Sequence, residues 1–151
     1  MKKIALATLF ALAVGTASAV ELGVTAQRDY SQNPDRNGWG LTVGEHFGKT
    51  SLTAGFERYT QGTNDTNRYS LVAGYDVAQI GGITITPKLG VAYLDPTTTS
   101  NGWQGSVGVG ASYALTKTVA LTADYRYQTA WQTRVDNFNG NVISGGLKFS
   151  F

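Results

Sequence analysis

The sequence predicts an all-β fold: an eight-stranded antiparallel, up-and-down transmembrane β-barrel that follows an N-terminal signal peptide. Three observations carry this. After residue 19 the chain divides into eight segments of roughly 9–12 residues, the length a tilted strand needs to cross a bilayer. Inside each segment apolar and polar residues alternate, so one face of the sheet meets a greasy medium and the other a polar one. The connections run long, short, long, short, long, short, long, which gathers polar loops at one end of a barrel and tight turns at the other.

The leader comes first. Met1-Lys2-Lys3 is basic, Ile4 to Val14 is apolar apart from Thr8, and Ala17-Ser18-Ala19 has the small residues of a cleavage site. Residues 1–19 therefore read as a signal peptide, too short to span a membrane as a helix, and residues 20–151 as one barrel domain. Without Lys2 and Lys3, ten basic residues face ten acidic ones, so that domain is neutral. No basic patch points to nucleic acid. Cysteine is absent, so no disulfide supports an exported chain. A sheet closed on itself in lipid satisfies its strand hydrogen bonds internally and supplies that support. No apolar run of about 18 residues follows the leader, which excludes a helical membrane protein.

The strands follow in order. The first, Val20 to Tyr30, turns Val20, Leu22, Val24 and Ala26 one way and Glu21, Gly23, Thr25 and Gln27 the other. A polar loop from Ser31 to Gly38 precedes the second, Trp39 to Phe47, with Trp39, Leu41 and Val43 outward and Thr42 and His46 inward. Gly48-Lys49 makes a tight turn into the third, Thr50 to Thr60, with Leu52, Ala54 and Phe56 outward and Glu57 inward. After the loop Gln61 to Asn67, the fourth runs from Arg68 to Ala78 with Tyr69, Leu71, Ala73, Tyr75 and Val77 outward. The fifth, Ile83 to Leu94, contains Pro87, which donates no ladder bond and predicts a bulge. Asp95 to Asn101 is the third loop. The sixth strand, Gly102 to Leu115, points Trp103, Val107, Val109 and Tyr113 outward. The seventh, Val119 to Thr129, alternates most cleanly, with Leu121, Tyr125 and Tyr127 outward and Asp124 and Arg126 inward. The longest loop, Ala130 to Asn141, leads to the closing strand, which ends on Leu147, Phe149 and Phe151 at alternate positions.

A chain that stops on a bare aromatic strand resembles the small eight-stranded bacterial outer-membrane barrels, the OmpA-transmembrane, OmpX and opacity-protein type. The resemblance covers residues 20–151 by architecture, and the terminal strand matches at motif level. It implies the outer membrane of a Gram-negative cell, loops outside, termini in the periplasm, and Phe151, Phe149 and Leu147 as the signal read by the assembly machinery. A soluble lipocalin-like barrel would turn its apolar face inward. Besides the terminal Phe151, two features of this chain favour the membrane alternative. The polar face carries the charges. Aromatics fall near strand ends, with Tyr30, Trp39, Tyr69, Tyr93, Trp103 and Tyr127 at one rim and Phe47, Tyr75, Tyr113 and Phe149 at the other, as interfacial girdles do.

Chemistry-bearing residues are few. His46 is the only histidine; its parity points it inward near the turn end, away from the loops where a lipid-modifying enzyme would act. Gly105-x-x-Gly108-x-Gly110 has no helix after it and reads as space made inside a narrow barrel rather than as a phosphate loop. Asp65, Asp95 and Asp136 lack calcium-loop spacing. No metal or cofactor is expected. The lumen charges form the informative set: Glu21, Asp76 and Lys148 low with His46, Lys88 and Asp124 midway, and Glu57, Arg68 and Arg126 higher. Buried charges must pair, and Glu21 is expected to meet Lys148 where the first and last strands close.

The expected function is non-enzymatic: a monomeric surface protein with a side-chain-filled lumen, in a structural or adhesion-like role. A narrow, porin-like channel is the alternative, and a lipid-modifying enzyme ranks below it. Expected partners are membrane lipid and lipopolysaccharide, the assembly machinery, and an extracellular ligand of the loops, which include Trp131, Arg134 and Phe138.

Overall fold

The computed structural model describes residues 20–31, 34–62, 64–97, 100–131 and 139–151. The leader, Arg134, Asp136 and Phe138 lie outside the described residues. The strands are β1 (Val20–Asp29), β2 (Arg36–Phe47), β3 (Thr50–Gln61), β4 (Asn64–Tyr75), β5 (Ala78–Ile80), β6 (Ile83–Pro96), β7 (Gly102–Ala114), β8 (Val119–Ala130) and β9 (Gly140–Ser150). Neighbours pair antiparallel around the ring. β1 pairs with β9 and β4 with β6, which closes the sheet.

The short β5 continues β4 and makes no ninth stave. β4 leaves the ladder with Gly74 opposite Lys88, and β5 resumes it with Ala78 opposite Ile85. Between them the Asp76 N–H donates to the Lys49 carbonyl at 2.8 Å and the Val77 N–H to the Ile85 carbonyl at 3.0 Å. Pro87 lies across from this break. Lacking an N–H, it offers the facing strand nothing to accept, so the irregularity falls in its partner and not as a bulge in its own strand. The following hairpin turns on Gly81 and Gly82, at φ 58° and 83°, which side chains resist.

The strands extend further at the loop end than polarity alone suggested. Arg36 to Gly38, Asn64 to Asn67 and Asp95 to Pro96 belong to strands, not loops. Above the apolar band polar side chains need no lipid-compatible partner, so the backbone ladder continues and cross-strand ion pairs hold it. Arg58 on β3 pairs with Asp65 on β4 in this way.

The two faces separate cleanly. Leu121, Val109 and Leu89 are 51%, 43% and 67% exposed on the outside. The inside is polar: Glu57, Arg68, Gln104, Gln128 and Asp29 are buried there. The few buried apolar side chains that face in, Leu94, Ala92 and Val142, sit among them. A sheet with this arrangement is stable where the outside medium is itself apolar, because each large apolar side chain left in water costs about 1.5–3 kcal/mol of transfer free energy.

Candidate functional site

The lumen is built in layers by inward positions of successive strands. At the turn end, Lys148 Nζ lies 2.8 Å from Glu21 Oε1 and His46 Nε2 lies 3.2 Å from Glu21 Oε2. Glu21 and Lys148, expected to meet at the closing seam, are therefore together. They are not directly opposite. Gly23 faces Lys148 and Ser150 faces Glu21 in the ladder. With no side chain at Gly23, the lysine reaches down one inward position. Asp76 accepts a hydrogen bond from the Thr86 hydroxyl at 2.6 Å.

The middle layer is the Lys88–Asp124 ion pair. Gly110 stands opposite Asp124, and a Cβ at Gly110 would lie 2.5 Å from the Asp124 carboxylate and 2.8 Å from Lys88 Nζ. Gly108 stands opposite Arg126 in the same way. The spaced glycines of β7 thus open room for Arg126 and for the Lys88–Asp124 pair.

The upper layer is centred on Glu57. Arg68, directly opposite on β4, donates through Nη1 to Glu57 Oε1 at 2.8 Å. Arg126 crosses from the far wall and donates through Nη1 to the same oxygen at 2.9 Å, while its Nη2 donates to Oε2. The Tyr59 hydroxyl lies 2.7 Å from Glu57 Oε2 and 2.6 Å from Gln27 Oε1. Arg68 Nε donates to Gln104 Oε1 at 3.1 Å. Two guanidiniums on one carboxylate leave this layer one positive charge in excess.

A fourth layer, which alternation alone does not predict, lies at the loop end. Asp29 and Arg36 form a buried ion pair, with Gln128 Nε2 donating to Asp29 Oδ2 at 3.3 Å and Arg36 Nη1 to Thr66 Oγ1 at 3.4 Å. The Arg36 guanidinium also lies over the Tyr59 ring, 5.4 Å from the ring centre. Alternation carries the inward face of the first strand from Gln27 to Asp29 and that of the third from Glu57 to Tyr59, so parity is the signal for both. Arg36 lies in turn-rich sequence, where parity gives no signal.

Below Glu57 and Arg126 the lumen opens into a cavity of about 320 Å³ that reaches Glu21, His46 and Lys148 and is walled by Thr and Ser hydroxyls. Arg68, Tyr59, Gln104 and Gln128 do not line it; they fill the lumen above. Among the described residues no group of His, Cys, Asp and Glu is placed to hold a metal.

The girdle residues face out. Tyr30, Trp39, Trp103 and Tyr127 at the loop end, and Phe47, Tyr75 and Tyr113 at the turn end, are all about half exposed. Phe56 joins the upper row, 5.7 Å from Trp39 and 5.5 Å from Tyr69, and Tyr93 meets Trp103 at 5.5 Å. Trp131, expected among the loop contacts, belongs to this row as well. Its N–H donates to the Trp103 carbonyl at 3.0 Å, and its indole covers Gly105 on the outer face. At the chain end Phe149 pairs with Leu22 and Leu147 with Val24. The Phe151 N–H donates to the Val20 carbonyl at 2.9 Å, which carries the β1–β9 seam to the last residue.

An apolar outer face, aromatic rows at both ends and a charged lumen define a transmembrane β-barrel. The chain belongs to the outer membrane protein beta-barrel domain family, whose match spans residues 4–151, and its place is the cell outer membrane. Among solved structures it is similar to the N-terminal β-barrel domain of Pseudomonas aeruginosa OprF, with a TM-score of 0.70 and 19% identity over 89% of this chain and 98% of that one. Neisserial surface protein A is similar at TM-score 0.68 and 18% identity, over 88% and 96% of the two chains. Ail of Yersinia pestis follows at 0.59 and 13%, over 88% and 99%. At these identities the likeness is one of fold. No curated protein matches the chain.

Proposed function

We propose that this chain is a plugged, monomeric, non-enzymatic surface barrel, exported by residues 1–19, with its four polar loops outside the cell in a structural or adhesion-like role. The observation that carries the reading is the Glu57 layer. One carboxylate holds Arg68 and Arg126 from opposite walls, and Tyr59, Gln27 and Gln104 occupy the remaining cross-section. An eight-stranded lumen is only wide enough for its own side chains, and this layer uses that width. Such a layer ties the walls together and blocks solute.

The absence of an enzyme role rests on placement. His46 has Glu21 as its partner at the turn end, remote from the loops and from the leaflet they meet. Unchanged lipid A mass spectra in cells expressing the protein support this; a new lipid A species overturns it.

A narrow channel is the second reading, favoured by the cavity beneath Glu57. Planar-bilayer recording separates the two. The plug gives silence. Steady conductance that changes with Lys88→Ala or Asp124→Ala assigns the lumen to ion passage.

A further inference from the structure

Between the two aromatic rows the outer face carries one charged side chain among the described residues. Glu45 on β2 continues the outward series Trp39, Leu41 and Val43, and stands one outward position inside Phe47 of the turn-end row. It is the exception to the separation of the two faces. Its side chain is buried, and its Oε1 has no hydrogen-bond partner. A carboxylate at the edge of a lipid belt is costly without an opposite charge, so its position asks for a cation.

Register shows what surrounds it. Val20 on β1 and Leu52 on β3 stand directly opposite Glu45. One outward position away, Leu22 and Ala54 flank Val43 on one side, and Thr50 faces Phe47 on the other. None of these side chains is a cation. Lys148 is nearby at the seam, but it faces the lumen and holds Glu21 at 2.8 Å. Lys49 stands past the Phe47 row, in the turn between β2 and β3. The side chains of the ladder therefore leave Glu45 without a counter-ion, and the remaining source is the backbone of Val20.

We propose that removal of the leader supplies that counter-ion: the α-ammonium of Val20, exposed by cleavage after Ala19, pairs with the Glu45 carboxylate at the outer edge of the seam. Hydrolysis of the Ala19–Val20 peptide bond turns a neutral amide N–H into an ammonium with three donors. The Val20 nitrogen lies 3.3 Å from the Phe151 carbonyl, and the Phe151 N–H returns a bond to the Val20 carbonyl at 2.9 Å. One donor is thus taken at the seam and the others are free. Because the Val20 backbone bonds run to Phe151, Val20 and Glu45 form a non-hydrogen-bonded pair, whose Cα atoms lie about 4.5 Å apart, within reach of a glutamate side chain. In the uncleaved chain the same nitrogen is neutral and Glu45 stays uncompensated at the lipid boundary. Processing then completes the barrel electrostatically as well as freeing it from its leader. The inference rests on the reading of residues 1–19 as a leader removed ahead of Val20.

The test is the acylation rate of the Val20 amine in the exported, processed protein, folded in non-ionic detergent micelles that contain no lipid amine. N-hydroxysuccinimidyl acetate near neutral pH is the probe, and peptide mass spectrometry reads the modified fraction at Val20 against the lysines. Only the neutral amine is a nucleophile, and a close carboxylate holds it as the ammonium. Wild type should react about tenfold more slowly than Glu45→Gln, the effect of one opposite charge at close range. Glutamine keeps the shape of the side chain, so mere steric shielding predicts equal rates. A chain that retains Ala17 to Ala19 carries its amine three residues away and should react as fast as Glu45→Gln. Equal rates in wild type and Glu45→Gln overturn the proposal, as does an extended chain as slow as wild type. Intact mass gives the mature start separately. A start other than Val20 overturns the proposal through the leader reading, and is seen as such. Heat-modifiable gel migration confirms that each variant is folded. Should Glu45→Gln not fold, the comparison of wild type with the extended chain decides.

Discussion

Replacing Glu57 by Gln should be the most damaging conservative change in the lumen. The side chain keeps its shape and loses its charge. Arg68 at 2.8 Å and Arg126 at 2.9 Å then face each other with no anion between them. Removing one partner from a buried ion pair costs roughly 3–5 kcal/mol, because the charge left behind stays desolvated. Here two charges are left, so the upper half of that range is expected. Arg68→Met should be milder. It leaves Glu57 balanced by Arg126 and forfeits chiefly the bonds to Glu57 and Gln104, about 1–3 kcal/mol. Adding Arg126→Met to Glu57→Gln removes one stranded cation and should recover part of the loss, a coupling of roughly 0.5–3 kcal/mol. The assay is reversible urea unfolding from lipid vesicles, followed by the emission of Trp39, Trp103 and Trp131, which all face the outside. A Glu57→Gln loss within about 1 kcal/mol, the size of an exposed pair, would refute the buried-charge argument. So would an Arg68→Met variant as unstable as Glu57→Gln with no recovery in the double.

Three further outcomes follow from the geometry. Val109→Arg puts a charge near the middle of the apolar belt and should cost about 2–4 kcal/mol in the same unfolding assay, whereas an inward-facing apolar core would predict a cost set by packing. A side chain at Gly146 would run into the Val24 carbonyl across the seam, so Gly146→Val should abolish the heat-modifiable band; Gly145→Ala, whose added carbon meets only the Thr122 carbonyl at 3.7 Å, should leave it intact. Lys148→Met removes a partly exposed partner of Glu21 and should cost about 1 kcal/mol by urea titration, with assembly preserved because the backbone seam remains.

Much of this protein is written in its alternation. Period 2 fixed which residues share a face, and the ring of strands follows from eight such segments with alternating connections. The apolar set Leu22, Val24, Leu121 and Leu147 could only be satisfied outward in lipid, because the opposite face carries charges that cannot all sit in hydrocarbon. Parity also put Glu57, Arg68, Asp124 and Arg126 in one lumen, and the closing of β1 on β9 brought Glu21 to Lys148.

What alternation cannot supply is the third dimension of the lumen. Which carboxylate takes two arginines depends on which neighbouring positions are empty. Gly40 lies beside Gln27 and Glu57, and Gly108 and Gly110 lie beside Arg126 and Asp124; those gaps exist only once strand register is set. The Asp29–Arg36 pair needed β2 to start earlier than its turn-rich sequence suggested, because tertiary partners outweighed local loop propensity. Proline's effect likewise moved to the facing strand at Asp76 and Val77. The sequence by itself determined what faces lipid and what faces the lumen, since that is a property of each strand alone. Only the closed barrel decided who pairs with whom, since that depends on distances across the ring between residues far apart in the chain.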